Sequence, residues 1–199
     1  MIKGHTEYKG YTAQQVDDFY PTIRKFLEEV RPARVLEIGT AGGGFILAVR
    51  EILNEIGLSD TPIRTFDVIE SPYYEKLRTH NIEINIENIF DQAYLNLVKP
   101  ERIVPYIQEE GTTIVFCDGG HKIGEFNSIA PHIKTGDYIL AHDYIDTWRN
   151  YLDNFRDKIW SWCEIEEKYI SKVSEEHGLE FYNKEEFDKV VWVCKKKVK

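Results

Sequence analysis

Two short stretches of this chain set acids and bases close enough together to do chemistry. One is "CDGGHK", Cys117 to Lys122, and the other is "AHDY", Ala141 to Tyr144. Each ends an apolar run with strand character, "TTIVFCD" and "DYILAHD". Parallel strands separated by one crossover commonly lie side by side, so Asp118 and Asp143 are expected to end near each other. Neighbouring carboxylates repel unless a proton or a cation stands between them. A hard ion, Mg²⁺ or Mn²⁺, suits such oxygen ligands, with water and substrate completing an octahedron. Asp118, His142 and Asp143 are thus the expected metal ligands. For proton transfer His121 is the expected base, its ordinary pKa of about 6.5 suiting neutral pH. Lys122 is a weaker second, because a lysine must first be desolvated to act as a base. Each residue also has a structural alternative. Asp118 serves equally as a helix cap, His121 as a partner that orients Asp118, His142 as a satisfied core histidine, and Asp143 as a plain loop carboxylate.

A second group of residues precedes these. "VLEIGTAGGGF", Val35 to Phe45, holds four glycines directly after a short apolar strand. In α/β folds ligands sit beyond the carboxyl ends of the strands, first of all at this turn. A dinucleotide site wants G-x-G-x-x-G, and here the register gives Gly39, Ala41 and Gly44. Glu37, at the end of the strand, argues further against a pyrophosphate, which an added carboxylate repels. A ligand bearing an ammonium or a sulfonium gains from it, and S-adenosylmethionine carries both with no phosphate. Alternatively, Glu37 orders the loop by accepting its N–H groups. Asp67, ending the next strand in "TFDVIESP", can accept both hydroxyls of an adenosine ribose, whichever of the two cofactors carries it.

Along the chain, strands alternate with helices. Residues 1–10 read as a polar arm and 11–30 as a helix, with Thr12 and Gln15 as a capping box and a stripe running from Val16 to Val30. Pro21 is expected to kink or restart that helix. "SPYYEKLRTH" reads as a helix capped by Ser71 with Pro72 first. "FDQAYLNLVKPERIVPYIQEE" reads as mostly helical, interrupted by Pro100 and Pro105. One long helix is expected over 147–173, then two final strands, "LEFYN" and "VVWVCK", joined by polar "KEEFDK" as an antiparallel hairpin. Short, continuously apolar strands imply a parallel sheet covered on both faces. The expected fold class is α/β, a single Rossmann-like doubly wound domain over 1–199 with about seven strands, mostly parallel.

This pattern resembles the class I S-adenosylmethionine-dependent methyltransferases, which carry E-x-G-x-x-x-G after the first strand. Glu37, Gly39 and Gly43 have that spacing, and the resemblance spans roughly Tyr11 to Ile145. It implies a cofactor seat made by Glu37, Gly39, Thr40, Ala41, Gly43, Asp67 and Asp118, with Asn88 near the adenine. "FCDGGHKIGEFNSIAPHIKTGDYILAHDY" further resembles the metal-dependent O-methyltransferases of catechol and macrocin type and the cephalosporin hydroxylase-like proteins. Those groups usually have an acidic or Asp-Asn tandem after strand five, where this chain has His142-Asp143. The implied activity is transfer of a methyl group to an oxygen of a small hydroxylated molecule, with Asp118, His121 and Lys122 in catalytic roles. The same layout also serves an NAD-type oxidoreductase or a non-catalytic partner protein.

Composition narrows the partners. The 199 residues are 42% hydrophobic and 30% charged, with a formal net charge of −9. An acidic chain makes a poor partner for nucleic acid, whose phosphates demand clustered cations. The only basic cluster is the tail "KKKVK", expected to be solvated. The Asn/Asp-Pro-Pro-Tyr/Phe motif of amino-methylating nucleic-acid enzymes is absent, since "DGGH" stands after strand four. The first ten residues lack an apolar leader core, and three widely spaced cysteines fit a reducing compartment, so a cytoplasmic location is expected, with no membrane segment. Tyr73, Tyr74, Tyr144 and Trp148 are candidates for an aromatic wall, or for core packing. The oligomeric state stays open, a homodimer included.

Overall fold

Five short runs of continuous burial or strict alternation become five parallel strands, and the turns at their carboxyl ends become one rim of the molecule. The computed structural model describes residues 4–156 and 162–199. In chain order the elements are β1 (Gly4–Tyr8), β2 (Tyr11–Val16), α1 (Phe19–Val30), β3 (Arg34–Ile38), α2 (Gly44–Glu55) and β4 (Ile63–Asp67). Then come α3 (Tyr74–Arg78), β5 (Ile82–Ile86), α4 (Pro100–Gln108), β6 (Thr113–Cys117), α5 (Lys122–Ile129) and β7 (Tyr138–His142). The last part holds β8 (Tyr144–Ile145), α6 (Trp148–Asn150), β9 (Ile165–Glu166), α7 (Glu167–Glu176), β10 (Leu179–Phe181), α8 (Lys184–Lys189) and β11 (Trp192–Lys197).

The main sheet has seven strands in the order β10-β11-β7-β6-β3-β4-β5. Strands β3 to β7 pair in parallel, and β11 runs antiparallel between β7 and β10. Two hydrophobic cores cover the faces. Val35, Ile63, Ile114 and Phe116 pack with Ile23 and Phe26 of α1 and Ile46 and Val49 of α2. Leu36, Phe66, Val115 and Ile139 pack with Ile103 of α4, Phe126 of α5 and Ile170 of α7. Each such side chain, once buried, contributes about 2 kcal/mol of transfer free energy.

The amino-terminal part departs from expectation. Residues 11–16 form β2, paired with β1 in an antiparallel hairpin, and not the first turns of a helix. The two-residue period won: Tyr11, Ala13 and Gln15 are buried while Thr12 and Gln14 are exposed. Gln15 caps nothing and instead accepts a 2.9 Å hydrogen bond from the buried Trp192 indole N–H. The helix begins at Phe19, which places Pro21 in its first turn, where an N–H has no intrahelical partner to lose. At the other end, Arg31 adopts the left-handed conformation (φ 47°) and Pro32 prevents continuation.

Four further corrections concern helices. Ser71 and Pro72 lie in a turn before α3, whose cap position is Tyr73. Helix α4 covers only Pro100–Gln108, and it keeps Pro105 in its interior. The expected helix over 147–173 is instead α6, a π turn over Tyr151–Phe155, β9 and the start of α7. Residues 157–161 of that span lie outside the described residues. The polar link "KEEFDK" forms helix α8, anchored by the buried Phe187.

Candidate functional site

The glycine turn follows β3 and its glycines answer to three different neighbours. Gly39 (φ +94°) runs against the β6 turn, where an added Cβ would collide with the backbone oxygen of Asp118. Gly43 (φ +78°) is pressed by Leu77 of α3. Gly42 and Gly44 abut the hairpin instead: added Cβ atoms would collide with the Thr12 side chain and meet that of Ala13 at 2.7 Å. Below the turn, the parallel register sets Glu37 beside Thr65, whose hydroxyl donates to Glu37 Oε2 at 2.5 Å. Thr40 Oγ1 lies 2.6 Å from the same Thr65 hydroxyl. Burial drives the Glu37 carboxyl well above the ordinary range, the Thr65 bond opposing it and the charges of Asp118 and Asp67 adding to it.

On the β4–β5 side of the turn lies a cavity of about 300 Å³, lined in part by Gly39, Ala41, Asp67, Asn88, Tyr94 and Glu125. Asp67 accepts from the Ala41 N–H at 2.7 Å and from the Ile69 N–H at 3.0 Å, which ties the end of β4 to the glycine turn. Asn88 orders its own loop by accepting from the Phe90 N–H at 3.0 Å. Glu125 accepts from the N–H groups of Gly119 (3.1 Å) and His121 (3.0 Å). Its burial nevertheless pushes the carboxyl up to about 7, against the pull of those two bonds. Among the described residues the lining carries four carboxylates, Asp67, Glu87, Asp118 and Glu125, and neither lysine nor arginine, although Lys99 and Arg102 pair with Glu87 from outside it.

On the β6–β7 side a second cavity, of about 220 Å³, shares Gly39, Ala41 and Asp118 with the first. Asp118, His142, Asp143, Lys122, Glu164 and Trp162 surround it. Asp118 Oδ1 is 2.9 Å from His142 Nδ1, and the imidazole stacks on Trp192 at 4.8 Å. Burial alone would strip the proton from His142, but Asp118 and Asp143 outweigh it and raise its proton affinity. Asp143 takes a left-handed backbone (φ 55°), which a non-glycine residue holds at a cost of about 1 kcal/mol or more. Its carbonyl accepts from the Glu164 N–H at 3.0 Å, bringing Glu164 to the same wall. The Asp143 side chain is only 6% exposed, and its Oδ1 has no hydrogen-bond partner among the described residues.

The ammonium of Lys122 sits among these acids. It donates to Glu164 Oε2 at 2.7 Å and to the Gly119 carbonyl at 3.0 Å, and lies 3.3 Å from Asp143 Oδ2 and 3.8 Å from Asp118 Oδ1. Burial disfavours its charge, yet Asp118, Asp143 and Glu164 more than offset this and hold the pKa above the usual lysine value. A lysine so held is a fixed cation and a poor base, contrary to the role expected of it. His121 also falls outside the cluster. It is exposed, its Nδ1 caps α5 by accepting from the Gly124 N–H at 3.0 Å, and its ring stacks on Tyr94. It lines neither cavity itself, although Tyr94, on which it stacks, lines the first.

Of the expected residues, the structure brings Gly39, Ala41, Asp67, Asn88 and Asp118 to the first cavity and His142 and Asp143 to the second. Thr40 and Lys122 also line the second cavity, and Glu37 lies beneath the turn that joins the two. Sequence reasoning misses Glu125, Glu164 and Trp162. Glu125 carries a readable signal, a glutamate four residues after a cap; Glu164 and Trp162 carry none, standing about twenty residues past Asp143. The aromatic quartet packs elsewhere: Tyr74 and Tyr144 are core, Tyr73 contacts Tyr11, and Trp148 stacks on Tyr151. Among the described residues no three His, Cys, Asp or Glu side chains are arranged to hold a metal ion, and no helix is long and apolar enough to cross a membrane.

No protein family and no curated protein matches the chain in sequence. Solved structures do match it in shape. The apo structure of CmcI superposes with a TM-score of 0.65 over 97% of this chain and 76% of its own, at 16% identity. The fold is the Rossmann-like methyltransferase fold. A CmcI structure described as Mg-SAM follows at 0.64, covering 96% of this chain and 75% of its own, at 16% identity. A caffeoyl-CoA O-methyltransferase-like protein from Staphylococcus aureus superposes at 0.56, covering 89% and 82%, at 14% identity. At such identities these likenesses establish the fold, and the chemistry has to be argued from the site.

Proposed function

We propose that this chain is an S-adenosylmethionine-dependent methyltransferase acting on an oxygen of a small hydroxylated molecule. The observation that carries the reading is the lining of the first cavity, where the described residues supply Asp67, Asp118 and Glu125, and Glu87 already paired with Lys99 and Arg102 from outside the lining, but no lysine or arginine. A pyrophosphate would be repelled there, whereas a cationic cofactor that presents only ribose, adenine and an amino acid is welcome. The neighbouring methyltransferase structures support it, among them one with Mg-SAM.

When bound, S-adenosylmethionine supplies a methyl group on a sulfonium, which passes in line to the acceptor oxygen and leaves a thioether. The chain's residues bind, align and neutralise. Asp67 takes the ribose, Asn88 borders the adenine, and Glu37, buried beneath the turn, acts on the ammonium end by its charge from below, a pairing that favours its ionised form. Gly39 and Ala41, shared by both cavities, let the two ligands approach over bare backbone; alignment is the main source of acceleration in such a transfer. Asp143 Oδ1, buried and lacking a partner among the described residues, accepts the acceptor's hydroxyl hydrogen. His142, held by Asp118, stands next to it with Nε2 3.9 Å from that same oxygen and takes part in moving the proton. The magnesium expected at Asp118, His142 and Asp143 does not fit the donor set as folded, because an ammonium already lies among those carboxylates.

Calorimetric titration with S-adenosylmethionine and, separately, NADH tests the reading. Binding of the former alone, lost in Asp67→Ala and weakened in Glu37→Ala, is the expected result. Binding of NADH in place of S-adenosylmethionine would return the chain to the oxidoreductases.

A further inference from the structure

We infer that Lys122 is the site's built-in cation: its ammonium holds the place between Asp118 and Asp143 that a divalent ion would otherwise take, and the site works without metal. Two acids at the ends of adjacent strands need a positive charge between them. An ammonium has three donors, and here they face three oxygens, those of Glu164, Gly119 and Asp143, at 2.7, 3.0 and 3.3 Å. Asp118 stands within ion-pair reach as a fourth partner at 3.8 Å. The side chain is only 6% exposed, so it enters from the first turn of α5 and fills the space it points into.

A magnesium ion asks for something different. It needs six oxygens at about 2.0–2.1 Å in an octahedron, several of them water. The oxygens around Lys122 stand off by the longer distances that suit N–H donors, and His142 already engages Asp118 Oδ1 at 2.9 Å. An ion added there would face the ammonium of Lys122, and the like charges would oppose its binding. The fixed positive charge that an ion would contribute near the acceptor oxygen is thus present in covalent form. With two donors hydrogen-bonded to Glu164 and Gly119 and Asp143 as an ion-pair partner, Lys122 is a positioning residue: it offsets the repulsion among the three acids and holds Asp143 in place. Its effect on the acceptor rests on the methyltransferase reading; its occupancy of the cation seat does not.

Manganese is the probe. Mn²⁺ is titrated against the whole purified chain and followed by electron paramagnetic resonance, for wild type, Lys122→Met, Lys122→Gln and Asp143→Asn, with thermal melts to confirm folding. Wild type is expected to leave the free Mn²⁺ signal undiminished to about 1 mM, the weak end of protein cation sites. Lys122→Met or Lys122→Gln should gain a site at least about tenfold tighter, because the acids lose their internal counter-ion. Uptake of one ion by wild type, lost in Asp143→Asn, would overturn the proposal. So would two folded Lys122 variants that both remain silent. Should neither fold, the wild-type titration decides alone. S-adenosylmethionine calorimetry in the presence of a chelator runs in parallel. Failure there removes the methyltransferase reading and leaves the manganese result to judge the cation seat.

Discussion

On the β4–β5 side of the Gly39 turn, the two acids nearest the turns are met by backbone, Asp67 by the N–H groups of Ala41 and Ile69 and Glu125 by those of Gly119 and His121, while Glu87 on the same lining pairs with Lys99 and Arg102. On the β6–β7 side, acids are met by side chains: Asp118 by His142, Asp143 and Glu164 by Lys122. Backbone donors come with the fold and cannot be lost by a single substitution elsewhere. Side-chain donors can be removed one at a time, and loss of Lys122 leaves the buried Asp143 carboxylate without its partner, which costs several kcal/mol. One cavity is therefore a rigid mould and the other an adjustable balance of charge. Cofactor binding suits the first, and the tuning of an acceptor's proton suits the second.

The largest effect should come from the wall both cavities share. Gly39→Val puts a branched side chain at φ +94° into the Asp118 backbone, and should destabilise the fold by about 3 kcal/mol or more in chemical denaturation. Next, the two cavities should separate kinetically. Asp67→Ala should weaken S-adenosylmethionine binding about 100-fold, near 2.7 kcal/mol, by calorimetry. Asp143→Asn should instead lower kcat about 100-fold and leave the cofactor Kd within about twofold. Equal loss of cofactor affinity in both would erase the division of labour.

A smaller effect concerns pH. Glu125 titrates near 7 in the folded chain and near 4.5 when unfolded, so between those values the folded state binds more protons. Stability then falls as pH rises from about 4.5 to about 7 and levels off above. Denaturation of wild type and Glu125→Gln at pH 5 and 8 should show a shallower slope in the variant, the difference amounting to at most about 3 kcal/mol, with the remainder left by Glu37. The smallest effect is expected for His121→Ala: about 1 kcal/mol of stability for the lost cap and a kcat within about twofold of wild type. A large fall in kcat would put His121 back into the reacting space.

The inner sheet is legible in the sequence because its strands are short, apolar throughout and separated by amphipathic helices, a pattern with few other solutions. The glycine turn, Asp67 and the pairing of Asp118 with Asp143 follow from strand order alone. Strand β2 is not legible, because "TAQQ" offers a capping box and a period of two at once, and only its contact with Trp192 decides between them. The ionic state of the second cavity is hidden for a similar reason. Lys122 becomes a fixed cation through Glu164, 42 residues away on a segment whose course between β8 and β9 has no periodic signature. His121 and His142 look equivalent in sequence; the helix start claims one and the Asp118 carboxylate the other.

Gly42 and Gly44 are small on behalf of Thr12 and Ala13, whereas Gly39 and Gly43 are small on behalf of the turn itself. The glycine spacing is therefore two messages written over one another. A distant relative that lacks the amino-terminal hairpin would be free to place side chains at the positions of Gly42 and Gly44, and would still be bound to the other two. In such relatives the run aligned with "GTAGGG" reports, by which of its glycines persist, whether a hairpin closes the outer side of the turn.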